Sequence, residues 1–468
     1  MGRSVSAPAH EPGGAFHHAA SDSTIRVFWK NGSLHHAIEE KGLSADYPIV
    51  YAIGAGKVGK SYLIELGGHF FQSPASYYTA RSEWDVSPGY ESEHLLDFSR
   101  PITSDCLVCH AGSVKQARDT AELTAISCDR CHGPGENHRL HPYPGTIVNP
   151  AKLTGRARDS VCEQCHLEGA TVVLNPGHSW WDFRPGEFLE QVETNYVYRT
   201  PSGSQTAIAA VSQAEQLRLS ACWRGSAGKL WCGTCHDPHG EPVNRKEQMR
   251  QICESCHPAG QLAAVHPANA DDCVACHMPS RRAVDVSHAA VTDHRITKRP
   301  TPAQATPTDS ITAWYDPAPE LKDRNLGLAL FNVARKRQSG ADFEESFRLL
   351  SKLPELQKDA AVEAAEGYLL LGSGHARAAV GCFQRAVTTH PESGEYWLDL
   401  GVARESAGDA DAAVEAFRRS IADDPYDYRA YRALSDLYKH TNRSEQAQAV
   451  TKEFLRLVPQ SILMRFPQ

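Results

Sequence analysis

The sequence predicts a mainly α chain in three parts: a small β-rich N-terminal segment, a loop-rich central module and a C-terminal α-solenoid. Three observations predict it. Residues 1–100 carry strand-like runs around Asn-Gly and Gly-Gly turns. Residues 101–298 carry six closely spaced cysteine pairs. From about residue 319 onward, prolines recur at a helical-repeat spacing. The 468 residues suggest about three domains, and 41% hydrophobic with 22% charged residues is ordinary for a globular protein. A net charge of −8 gives no sign of nucleic-acid binding. No apolar run approaches the roughly 18 residues of a membrane span.

In the N-terminal part, Thr24–Trp29 leads through Lys30-Asn31-Gly32 into Ser33-Leu34-His35, and Asn-Gly is a hairpin signal. Tyr62–Leu66, Gly67-Gly68 and His69–Gln72 read as a second hairpin. Between them, Gly54-Ala55-Gly56-Lys57-Val58-Gly59-Lys60-Ser61 matches the phosphate-loop pattern. That pattern works only where the loop opens a helix whose N-terminus meets the phosphates. The following Tyr62–Leu66 is strand-like, so a Gly-rich hairpin is expected and no nucleotide.

Twelve of the fourteen cysteines form Cys-x-x-Cys pairs: Cys106/Cys109, Cys128/Cys131, Cys162/Cys165, Cys232/Cys235, Cys253/Cys256 and Cys273/Cys276. A histidine follows every pair: His110, His132, His166, His236, His257 and His277. Two thiols at this spacing add across the vinyl groups of one haem, and the next residue falls under the iron as its ligand. Zinc is the rival, because the gaps after Cys109 and Cys256 fit the roughly 15–20 residues of a ribbon-type site. A four-cysteine zinc site has no use for a histidine after each pair. A disulfide scaffold fails on the same ground. Six covalently bound haem c groups are therefore expected. At roughly 30 residues per haem, the macrocycles themselves must form the core. Cys222 and Cys382 stand outside the pairs and read as structural thiols.

The second axial ligand decides what a haem does. Met1, Met249, Met278 and Met464 are the only methionines, whereas residues 1–300 hold fourteen histidines outside the motifs. Bis-histidine ligation, with low potentials, is the default. His138, His239, His266, His288 and His294 are the candidate sixth ligands, ahead of the N-terminal histidines.

A Pro/Thr/Ala-rich linker spans 299–318. From 319 to 468, Pro391, Pro425 and Pro459 lie one tetratricopeptide period apart. The middle repeat fits best, with Trp397, Leu400, Gly401, Ala413, Phe417 and Pro425 at pattern positions. The repeat before has Gly367, Ala379, Phe383 and Ala386, and residues 320–357 read as a degenerate fourth. Such solenoids bind partners and perform no chemistry. Docking of a redox-partner protein is expected here, with a helical cap over the haem module as the alternative.

The chain resembles bacterial multihaem c-type cytochromes with C-terminal tetratricopeptide repeats. Its haem module looks like that of the tetrahaem nitrification cytochromes and hydroxylamine oxidoreductase. The matching segments are Tyr51–Gly54, Trp84–Tyr90, Cys128–His138, Cys162–Leu167, Arg184–Glu187, Lys229–Gly240, Cys273–Pro279 and Thr292–Ile296. In such relatives extra histidines ligate neighbouring haems, which the resemblance extends to His138 and His239. Such relatives also carry a signal peptide and a further haem motif upstream of a segment like Met1–Ser4, so a longer precursor is expected. Haem c is attached outside the cytoplasm, which implies a periplasmic or other extracytoplasmic location. Electron transfer along a six-haem array is favoured. The competing reading is an oxidoreductase acting on a small nitrogen or sulfur compound at one haem with an open sixth position.

Overall fold

The computed structural model describes residues 4–116, 121–199, 208–240, 244–258, 272–283, 286, 290–298 and 310–465. The N-terminal part is two four-stranded antiparallel sheets and a hairpin of Ala75–Tyr78 with Glu83–Val86. One is a meander of Gly14–His18, Ser23–Lys30, Ser33–Glu40 and Leu43–Pro48. Its central turn pairs Lys30 with Ser33, and Asn31 and Gly32 take φ of 52° and 81°. That left-handed pair matches the strand twist, which is why Asn-Gly marks this turn. The other sheet runs Val5–Ser6, Tyr51–Ile53, Ser61–Leu66 and His69–Gln72. Gly67 and Gly68 close its hairpin with φ of 53° and 82°. After the phosphate-loop-like run, Ser61 opens a strand, and the Lys60 ammonium is ion-paired with buried Glu11 at 2.9 Å.

The two sheets and the hairpin share a core that includes Ile25, Leu34, Ile38, Tyr62, Ile64 and, from the hairpin, Trp84. It does not stop at residue 100. The same cluster continues into Phe417, Tyr431, Phe454 and Ile462 near the C-terminus. Polar contacts fasten the junction. Buried Asp97 accepts hydrogen bonds from Ser461 Oγ at 2.8 Å and Leu463 N at 3.1 Å. The Gln460 amide exchanges two hydrogen bonds with the backbone of Asp46, at 2.8 and 2.9 Å.

The C-terminal part is four helical hairpins: Lys322–Arg337 with Gly340–Leu350, Ala360–Gly372 with Ala376–Thr389, Gly394–Ser406 with Ala410–Asp423, and Tyr428–His440 with Ser444–Leu457. Ser339, Asp359, Ser393, Asp409 and Asp427 cap helix N-termini with their side chains. The repeat glycines are packing sites. A Cβ on Gly401 would lie 2.4 Å from the Phe417 ring, and one on Gly367 would lie 2.8 Å from Phe383. Close helix approach therefore requires the small residue, and Phe383 and Phe417 fill the space with almost no exposure.

The Pro-rich run at 299–309 lies outside the described residues. The span read as a linker does not stay free to residue 318. Ile311–Ala313 adds to Thr171–Leu174 and Glu193–Tyr198 as a third antiparallel strand. The first repeat helix packs on this sheet. Buried Asn325 donates to Asn175 Oδ1 at 2.8 Å and Thr194 Oγ1 at 2.9 Å, and Arg324 donates to the Leu174 carbonyl at 3.1 Å. The solenoid is thus anchored to the N-terminal sheets at one end and to the cysteine-rich module at the other. Among the described residues, no helix is long and apolar enough to cross a membrane.

Candidate haem attachment sites

Each Cys-x-x-Cys-His run lies on a helical turn. The turns belong to Ser104–His110, Asp129–His132, Gly155–His166, Cys232–Cys235, Arg245–Glu254 and Cys273–His277. The histidine amide closes back on the first cysteine: His132 N to Cys128 O, His236 N to Cys232 O and His257 N to Cys253 O, each at 2.9 Å. Residues three and four apart share one face of a helix. Both thiols and the imidazole of a motif therefore face the same side, as attachment plus ligation of one macrocycle requires.

None of the fourteen cysteines is in a disulfide. Their burial is uneven. Cys106, Cys128, Cys256 and Cys276 are exposed, whereas Cys109, Cys131, Cys162, Cys165, Cys232, Cys235, Cys253 and Cys273 are half-buried. The sixth motif helix, Cys273–His277, is five residues long and has no buried residue, and its Cys273 meets Cys253.

Among the described residues, the one cluster of ligand atoms with metal-site spacing is Glu363, Glu366 and Cys382 in the solenoid. Its carboxylates are already taken by Arg385 and Lys358, at 2.7 and 2.9 Å. Buried Cys382 is a structural thiol, pushed up to about 11 by burial. Cys222 is half-buried, less enclosed than a core thiol.

Two of the motif histidines, His132 and His277, are held in the tautomer that metal binding needs. His132 Nδ1–H donates to the Val148 carbonyl at 2.7 Å, and His277 Nδ1–H donates to the Thr297 carbonyl at 2.8 Å. A carbonyl can only accept, so Nδ1 carries the proton and Nε2 keeps its lone pair. Burial holds His110 and His166 below the usual imidazole range and favours their neutral form.

The sixth-ligand candidates divide. His239 faces His132 with ring centroids 5.9 Å apart and planes 25° apart. His294 faces His236 at 6.1 Å and 27°. Two metal–nitrogen bonds of about 2.0 Å plus two half-rings give a centroid separation of about 6 Å, so each pair has room for one iron between its rings. Both incoming histidines carry the same Nδ1 anchor. His294 donates to the Thr292 carbonyl at 2.8 Å, and His239 to Asp237 Oδ1 at 3.0 Å. Burial also lowers the pKa of His294. His138 donates through Nδ1 to Thr146 Oγ1 at 2.8 Å, whose own proton goes to backbone carbonyls. His266 and His288 lie outside the described residues. The N-terminal histidines serve the sheets instead: His35 bonds Asp46 at 2.6 Å, and His36, fully buried and lowered to about 3 by burial, bonds Ser73 at 2.7 Å. The imidazoles facing His132 and His236 come from about 60 to 110 residues downstream, and only the Cys-His-x-Pro-His and Thr-Asp-His settings hinted at them in the sequence.

Burial of hydrophobic side chains thins out across this module. Between Ile208 and Ala283, which span three motifs, no described residue is a buried hydrophobic. The polar interior around the third motif is costly as it stands. Glu163, Glu193 and Glu215 are each pushed up to about 7 by burial.

Comparisons with known proteins agree with this division. Residues 226–261 match a family described as the doubled CXXCH motif. Residues 364–428 and 404–463 match two tetratricopeptide-repeat families. Multiheme cytochrome MtrA of Shewanella baltica (strain OS185) is 26% identical over 206 residues, covering 38% of this chain and 61% of that protein. The chain thus spans less than two thirds of that relative's length. The solved structures it resembles include MamA, at 22% identity over 30% of this chain and 83% of that one, with a TM-score of 0.26. Another is MamA from Desulfovibrio magneticus RS-1, at 15% identity over 30% and 78%, also with a TM-score of 0.26. The Cys-x-x-Cys-His runs, their one-sided geometry, the doubled-motif match, the repeat matches and the similarity to a multiheme cytochrome together support a multihaem cytochrome with C-terminal tetratricopeptide repeats.

Proposed function

We propose that the protein carries six haem c groups, one at each Cys-x-x-Cys-His motif, and conducts electrons along them outside the cytoplasm. The observation that carries this reading is the pair of facing imidazoles, His132 with His239 and His236 with His294. Haem supplies a reversible one-electron centre when bound. At two of the sites the residues would supply a pair of facing imidazoles, with His132, His239 and His294 fixed by Nδ1 hydrogen bonds. An iron with both axial positions filled by imidazole has no place for a substrate and a low potential, which suits electron transfer. His138, His266 and His288 remain the candidates for the other haems. The repeats, as protein-interaction modules, dock a redox partner through surface not already packed against the sheets. Among their exposed apolar side chains are Phe347, Leu356, Tyr368 and Leu457.

Low-temperature EPR of the oxidised holoprotein tests the ligation. Wild type should be low-spin throughout. His239→Ala and His294→Ala should each convert one haem to a high-spin signal. A high-spin haem already present in wild type would favour the oxidoreductase reading, and variants that leave the spectrum unchanged would refute the paired ligands.

A further inference from the structure

We infer that the haem array branches at the third attachment site, which has three neighbouring sites instead of the two that chain order would give. This rests on the proposal that every motif carries a haem. The observation is how the motif helices meet. The first motif touches the third: Cys109 Sγ reaches the Gln164 carbonyl at 3.5 Å and hydrogen-bonds Cys165. The second motif also touches the third. Gln164 Nε2 donates to the Arg130 carbonyl at 3.0 Å, and the helices Asp129–His132 and Gly155–His166 pack together.

The fourth motif meets the third on the thiol at its other end. Cys162 hydrogen-bonds Cys232, Arg158 Nη2 donates to the Gly228 carbonyl at 3.2 Å, and the Arg158 guanidinium lies 4.8 Å above the Trp231 ring. Beyond that point the order is linear. Cys232–Cys235 packs on Arg245–Glu254, which packs on Cys273–His277, where Cys253 hydrogen-bonds Cys273.

Contact between thiols of different motifs is informative because each sulfur becomes a thioether on a porphyrin rim. Two such sulfurs in contact leave only a one-carbon bridge on each side between two macrocycles. Cys165 and Cys162 sit three residues apart on one helix, so the third macrocycle is met on its two vinyl sides by different partners. The first and second sites converge on it, and the fourth, fifth and sixth lead away. The first and second motifs also meet each other, where Arg130 Nη2 donates to the Val108 carbonyl at 2.9 Å, so the first three sites form a triangle whose path onward runs from the third to the fourth.

The test starts from haem content per chain of the purified holoprotein. Fewer than six haems overturn the reading on which the inference rests. On six-haem protein, redox titrations followed by haem-methyl NMR compare wild type with His166→Met. A methionine ligand raises the potential of the third haem, so it is reduced before its neighbours. Its added electron then shifts their apparent midpoints through Coulomb interaction, which falls with distance. The expected result is a shift at the first, second and fourth haems and none at the sixth. Shifts confined to the second and fourth would overturn the branch. If His166→Met does not assemble, a crystal structure of wild-type holoprotein decides the matter: three nearest irons around the third support the branch, and two refute it.

Discussion

In the repeats, Gly367 and Gly401 leave room for Phe383 and Phe417, and both rings are sealed from solvent. Between Ile208 and Ala283, three motifs occupy a stretch whose described residues include no buried hydrophobic side chain. Both regions are mainly helical, yet only one contains its own core. The solenoid can be stabilised by the side chains written in its sequence. The motif region presents thiols and imidazoles on one face of each short helix, and those faces need a group the chain does not encode. The difference explains how a module with so few residues per site can have a fixed structure.

Withholding the haem attachment machinery should break the two regions apart most visibly. The motif region should lose its structure, while the helices of residues 319–468 persist. Limited proteolysis should then cut within 209–282, and circular dichroism should retain the solenoid signal. A colourless protein resistant to protease throughout would contradict this contrast.

Phe417→Ala should do the converse, destabilising the solenoid by about 3–5 kcal/mol, as truncation of a buried aromatic does. Thermal unfolding followed at the helical band should show the loss, with the haem absorption spectrum of the folded protein unchanged. A smaller effect is expected at the junction. Asp97→Ala removes the acceptor for Ser461 and Leu463, and leaving buried donors unpaired costs about 1–3 kcal/mol. Hydrogen exchange should rise at 460–465 before it rises in the repeats.

The smallest effect is a pH dependence inside the solenoid. Burial, with Glu395 nearby, pushes the Asp399 carboxyl up to about 7. A carboxyl raised in the folded state binds a proton that the unfolded chain has already released. Its contribution is therefore complete below pH 4 and is lost as the pH rises through about 7. Asp399→Asn should raise the solenoid's melting temperature at pH 8 relative to wild type and flatten its decline between pH 4 and 7. An unaltered pH profile would show that Asp399 ionises freely.

The sequence made local features legible and left long-range ones obscure. The Asn31-Gly32 turn, the strand after Gly59 and the motif turns each depend on a few adjacent residues, so composition and spacing disclose them. The helical repeats are legible because each copy restates the pattern. The strand Ile311–Ala313 was hidden behind a proline-rich run, because its pairing partner lies more than a hundred residues upstream. The bond from Asp97 to the C-terminal helix and the core shared by the first sheets and the last repeat are non-local for the same reason. Among the candidate sixth ligands, local context put forward His138, His239, His266, His288 and His294 but could not say which motif histidine any of them would face.

Intact mass spectrometry of the exported protein under denaturing conditions tests the central claim most directly, because thioether-bound haem survives unfolding. The account predicts the mass of the chain plus six haems. A mass corresponding to free thiols, to disulfides or to fewer haems would contradict it.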